Sequence, residues 1–346
     1  MTAGLRRVAL AALAAGCAPR PVGKPIVWPD PPDTPRIRFV TAFRHTSDLD
    51  NSRWARFVRA VVGMERDLPL VQPMGVAVSD DGDRIYIADH GGGRVLRADL
   101  RERRLEPFAP DEPMGKPFGV ALDGHENVYV SDSIGRVVRV LSRDGKTLRF
   151  VGKGGLERPV GLAIDRGRGL LYVVDGASRL SPNHRVRAYT LGGQWLRDLG
   201  AGRQGAGDGE MHFPTYVAVA ADGEVFVADA MNFRIQVFSP DGKFLRKFGQ
   251  SGDGPGTFSR IKGMDFDSFG NLYVADGGHS NVQIFRRDFA ALMFFGGFTR
   301  KVEYFDIPSG IAIDRKRNRI YVCNQVIARI NVYDLINTKT EDSRVP

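Results

Sequence analysis

Six acid or amide side chains recur at one place in a repeated pattern: Asp89, Asp132, Asp175, Asp229, Asp276 and Asn324. Carboxylates in such numbers could do acid–base chemistry or bind a metal. Their successive intervals of 43, 43, 54, 47 and 48 residues argue for another role. A feature used in every unit serves the unit. Each is expected to end a strand, accept backbone N–H bonds from the next turn, and pair with an arginine usually four or five residues on. The six histidines stand at 45, 90, 125, 184, 212 and 279. Three converging imidazoles would suit zinc. His90, His184, His212 and His279 fall in loops at unequal depths, so the expectation is solvated rings and no metal site. One residue departs from the pattern: Asp265 replaces the alanine found at 77, 121, 163, 218 and 312. Lys262 is its expected ion-pair partner; the alternative is a functional polar spot, Lys262 with Asp265, near a central channel. The glycine-rich loops are followed by no Gly-Lys-Ser/Thr, so no phosphate-bearing cofactor is expected. Cys323 reads as a buried thiol, and no residue is assigned a catalytic role.

The elements that position these residues come from the same repeat. A proline opens Gly-hydrophobic-Ala-hydrophobic, a turn follows, and a strand runs into the acid, as in Pro73-Met-Gly-Val-Ala-Val to Ile85-Tyr-Ile-Ala-Asp89. A third strand opens on a basic residue in five copies (Arg94, Arg136, Arg185, Arg234, Arg329) and on Asn281 in the other. A fourth is clearest in Phe244-Leu-Arg-Lys-Phe-Gly249. Alternating apolar positions and Asp-Gly turns make these strands antiparallel. Four strands per ~45 residues, six times over, give an all-β fold, a six-bladed β-propeller of four-stranded antiparallel blades over 66–335. Residues 36–43 form an orphan strand, expected to complete the last blade and close the ring. Between them, Trp54, Phe57, Val58, Val61 and Val62 recur at helical spacing, which predicts one short helix over 50–62.

The units resemble NHL repeats, most closely in Val227-Ala-Asp229-Ala-Met-Asn232-Phe-Arg234-Ile-Gln-Val-Phe238 and in the connector Gly249-Gln-Ser-Gly252-Asp-Gly254-Pro-Gly256-Thr-Phe258. The arrangement is similar to that of bacterial exported NHL-repeat lipoproteins. Among similar propellers, the resemblance to amidating lyases implies zinc-ligand histidines just after the opening proline. Those places hold Met74, Phe118, Val160, Thr215, Lys262 and Ser309, so that chemistry is not expected.

The chain ends complete the reading. Arg6 and Arg7 precede the apolar run 8–15, and Ala14-Ala15-Gly16 leads to Cys17. This resembles a lipoprotein signal over 1–16 with lipidation at Cys17. Residues 17–35, rich in proline, then form an extended tether, and 36–346 the propeller. Ala18 after the cysteine resembles an outer-membrane address, with the domain on the periplasmic side. The net charge of +9 is carried by ten lysines and thirty-nine arginines against 40 acids. The third copy carries an insertion, 176–185, and a long connector, 200–213. These raise one sector of a loop face around Arg179, His184, Arg185, Arg203 and His212, the expected partner-binding surface. The expected function is non-catalytic binding of an envelope protein or an acidic glycan or lipid, with no nucleic acid. The alternative is a hydrolase or lyase using Asp265 and a loop histidine at the channel.

Overall fold

The computed structural model describes residues 24–50, 69–176, 178, 180–299 and 301–338. Within them six separate antiparallel sheets follow one another along the chain. Each begins with an inner strand: Pro73–Val78, Pro117–Leu122, Pro159–Asp165, Pro214–Val219, Ile261–Phe266 and Pro308–Asp314. In blade 4 the order outward is Pro214–Val219, Val225–Asp229, Arg234–Phe238 and Phe244–Phe248, and the other blades repeat it.

Consecutive apolar residues, as in Ile85-Tyr86-Ile87-Ala88, make the inner part of each sheet apolar on both faces, so a blade is stable only between two others. The result is six apolar wedges, one at each junction between blades. An aromatic fills the same second-strand place in every blade: Tyr86, Tyr129, Tyr172, Phe226, Tyr273 and Tyr321 are all buried. Burying such a ring contributes roughly 1.5–3 kcal/mol. Near the axis the inner strands pack so closely that a Cβ at Gly119 would lie 2.4 Å from the Val160 carbonyl oxygen of the next blade. Blade 4 alone carries Tyr216 at this glycine position.

The ring closes as the orphan strand suggested. Ile37–Phe43 pairs antiparallel with Arg329–Leu335, setting Ile37 opposite Leu335 and Phe43 opposite Ile330. Val27–Trp28 then adds a fifth strand outside it. Across the seam between blades 6 and 1, Ser309 Oγ donates to the Pro73 carbonyl at 3.0 Å. The described helix is a single turn, Thr46–Leu49, placed before the expected 50–62. Residues 51–62, the signal segment and Cys17 lie outside the described residues. Among the described residues no helix is long and apolar enough to cross a membrane.

Candidate functional site

The inner strands surround an axial channel, and all run in the same direction along it. They start at the face bearing the second-to-third-strand loops and the connectors between blades, the loop face. They end at the opposite face, where a cavity of about 590 Å3 is lined by residues of all six blades. Asp265 faces this cavity. It does not pair with Lys262. Three residues apart on an extended strand, the two side chains leave from opposite sides, and Lys262 stands at the loop end. Asp265 instead accepts from Arg315 at 2.8 Å, from the Ile313 N–H at 2.8 Å and from the Phe266 N–H at 2.8 Å. It thereby ties the inner strand of blade 5 to that of blade 6. Burial raises the Asp265 carboxyl above the usual range, against the pull of Arg315 and the two N–H groups. Tyr216 also lines the cavity, and burial, with Asp265 next, pushes its hydroxyl up.

The other arginines lining the cavity are paired as well. Arg166 meets Asp80 at 2.6 Å, Arg168 meets Asp165 at 3.1 Å, and Arg287 meets Asp222. The loop histidines lie at the far end of the channel, so Asp265 and an imidazole are not brought together. The alternative reading, in which those two groups act together as acid and base, has no geometry to support it.

At the loop face the repeated acids are structural. Asp89 accepts from the N–H groups of Val71 and Gln72, Asp175 from those of Glu157 and Arg158, and Asp276 from those of Ser259 and Arg260. These N–H groups belong to the connector entering the same blade, which a pattern confined to the strand and its next turn does not reveal. The arginine pairing holds in blades 1, 3 and 4, through Arg94, Arg185 and Arg234. In blade 2, Asp132 takes four N–H groups instead, those of Gly115, Lys116, Ile134 and Gly135.

The expected partner-binding residues separate into different roles. Arg179 lies outside the described residues. His184 is fully buried, which corrects the expectation of a solvated ring. Its Nδ1 accepts from the Phe213 N–H at 3.2 Å, which leaves Nε2 to donate to the Ser178 carbonyl at 3.1 Å. His184 therefore joins the inserted loop to the connector and offers a partner no surface. His212 stacks on it at 5.8 Å. Arg185 is held by Asp175 at 3.3 Å and by the Gly155 carbonyl at 3.1 Å, so it braces blade 3. Arg203 is exposed and paired with Glu210 at 2.8 Å. The other two loop histidines are also engaged: His279 with Asp276 at 3.0 Å, and His90 with the Pro117 carbonyl at 3.1 Å.

Lys262 does reach the channel mouth, at the loop end, where its ammonium donates to Gln325 Oε1 at 3.0 Å. Burial first, and Arg260 second, push it down to about 8. Three cations there were missed: Lys116, Arg158 and Arg260. The available signal was a basic residue immediately before an inner strand in blades 2, 3 and 5. Cys323 is buried and unbonded, as its place in the second strand suggested.

Comparison with known proteins agrees with this architecture. A family described as a 6-bladed beta-propeller matches residues 216–292, most of blades 4 and 5. The chain is 28% identical to human NHL repeat-containing protein 3 over 194 residues, 53% of this chain and 55% of that protein. It thus spans about half the length of this relative. It is 30% identical to mouse peptidyl-glycine alpha-amidating monooxygenase over 50% of this chain and 21% of that one. Among solved structures, a gluconolactonase of Xanthomonas campestris shares the fold with a TM-score of 0.61 at 18% identity, over 92% of this chain and 100% of the other. A nidogen/laminin complex does so with a TM-score of 0.57 at 20% identity, over 71% and 86%. Closed ring, repeated sheet and shared repeats together make the chain a six-bladed β-propeller with NHL-repeat homologues.

Proposed function

We propose that the protein is a binding propeller. Its loop face meets an acidic surface of an envelope protein, and a lipid on Cys17 holds it to a bacterial membrane, the outer one by the residue that follows. One observation supports the docking face. Ile134, Leu180, Met231 and Val326 stand exposed in the second-to-third-strand loops of blades 2, 3, 4 and 6. Phe298, in the connector entering blade 6, is exposed on the same face. Single exposed apolar residues are ordinary. Apolar residues recurring in the same loop of the repeat, three of them two residues after the strand-ending acid or amide, are of the kind that meets a partner. The basic residues on that face favour an acidic partner and would speed and orient its approach.

Crosslinking of the tethered protein in membranes tests this, with Ile134→Asp/Met231→Asp as the comparison. The expected result is a protein captured by the wild type and lost with the double variant, whose thermal transition is unchanged. Equal capture by both removes the docking face. Recovery of a glycan or lipid in place of a protein overturns the choice of partner.

A further inference from the structure

We infer that the loop-face mouth of the channel is a binding site for a ligand with two or more anionic groups, carboxylate or phosphate, held between Lys116 and Arg158 on one side and Arg260 and Lys262 on the other. The inference rests on the loop face being the binding face and adds what its centre would recognise.

The placement follows from register. The residue before each inner strand, and the second residue of that strand, stand at the mouth. These places hold four cations and no carboxylate. Lys116 and Arg158 come from adjacent blades 2 and 3, Arg260 and Lys262 from blade 5. In a six-membered ring blade 5 stands opposite blade 2, so positive charge borders the mouth on two sides. The nearest acids along the chain, Glu157 and Asp306, lie one residue farther out, and Asn183 donates to Glu157.

The fold uses the backbone of these residues and leaves two of the side chains idle. The Arg158 N–H donates to Asp175 at 2.8 Å, and the Arg260 N–H donates to Asp276 at 2.8 Å. Any residue except proline supplies that bond, as Gln72 does for Asp89 in blade 1. The guanidinium groups of Arg158 and Arg260 are exposed and make no ion pair among the described residues. Among the described residues Lys116 and Lys262 reach only neutral oxygens, those of the His90 carbonyl and Gln325. The cations act on their neighbours: Lys116 and Arg158 both disfavour protonation of His90, below the larger effect of its burial. Like charges gathered without counter-charge oppose folding. An anion at the mouth would relieve that repulsion, and two planar guanidinium forks match the geometry of carboxylate and phosphate.

Isothermal titration of the full chain with citrate and with pyrophosphate separates the two chemistries, with acetate as the single-charge control. Saturable binding of citrate or pyrophosphate, far tighter than that of acetate, is expected. Arg158→Gln/Arg260→Gln should weaken it at least about tenfold per arginine, the effect of losing one charged hydrogen bond. Arg168→Gln, at the cavity end, should leave it unchanged. Lys262→Gln gives a second reading that alters neither arginine, and should also weaken binding. Absence of saturable binding by either probe, or equal affinity in the double variant, overturns the inference. Partner capture by the Ile134→Asp/Met231→Asp protein is read separately. If capture depends on the apolar patch while neither probe binds, this inference fails and the docking face stands; if probes bind as expected and capture does not depend on the patch, only the docking face fails.

Discussion

At the cavity end of the channel, Arg166, Arg168, Arg287 and Arg315 each face a carboxylate; at the loop end, Arg158 and Arg260 face none among the described residues. Both ends are rich in arginine, so residue type does not set the difference. The availability of acids does. At the cavity end the turns after the inner strands leave Asp80 and Asp222, and the strand itself leaves Asp265, within reach of solvent-facing guanidinium groups. At the loop end Asp89, Asp175, Asp229 and Asp276 are buried in their own blades, turned toward connector N–H groups. Stabilising the blades internally thus leaves the loop-end cations unneutralised. One end of the channel is electrostatically closed and the other remains free to meet an anion.

The sharpest way to break this contrast is to remove a loop-end acid. Asp229 is fully buried and accepts from the His212 N–H, Asn232, Arg234 and Gln236. Asp229→Ala leaves Arg234 buried without its partner, and breaking a buried pair from one side costs about 3–5 kcal/mol. Urea unfolding measures it. A loss under about 1 kcal/mol would show that these acids are not what holds the blades, since a single ordinary hydrogen bond contributes that much.

The repeats, the closing strand and the buried acids could all be read from the sequence, because each is a local pattern repeated six times or a conspicuous gap in one. What stayed hidden depends on contacts between blades. Arg315, the partner of Asp265, lies in the next blade, whereas Lys262 was nearer in sequence but on the wrong side of its strand. His184 looked like a loop residue, and it is one, but the connector folds over it. Arg185 fits the structural pattern of its own repeat, and only its place beside the insertion points to the binding surface. Arg158 and Arg260 share a place in the repeat, directly before an inner strand, but that place gains meaning only when the ring brings the starts of six strands to one opening.

A smaller effect sharpens the comparison from the loop side. Lys262 titrates near 10.5 in an unfolded chain and is pushed down to about 8 here by burial and by Arg260. Between those values the unfolded chain binds more protons than the folded one, so stability should rise as pH climbs from about 8 to 10.5. Below about 8 the folded protein bears the full cost of the charged, crowded ammonium. Lys262→Met should therefore stabilise the protein at neutral pH, by about 1–2 kcal/mol once partial hydration is allowed for. Its advantage should shrink across that pH window. An unchanged pH profile in the variant would mean that Lys262 is as well solvated as an ordinary surface lysine.

The smallest effect belongs at the cavity end, where charge is already balanced. Arg166 joins blade 3 to Asp80 of blade 1, and both side chains are substantially exposed. It also donates to the Leu122 carbonyl of blade 2 at 3.0 Å. Exposed pairs contribute about 0–1 kcal/mol, because water screens them and ordering two long side chains costs entropy. Arg166→Gln should lose no more than that, and less in 1 M salt, where screening acts within a few ångströms. A larger loss that persists in high salt would mean that the carbonyl bond, rather than the ion pair, holds the mouth together. The cavity end would then be built by backbone bonding, as the loop end is, and the two ends would differ only in what their acids face.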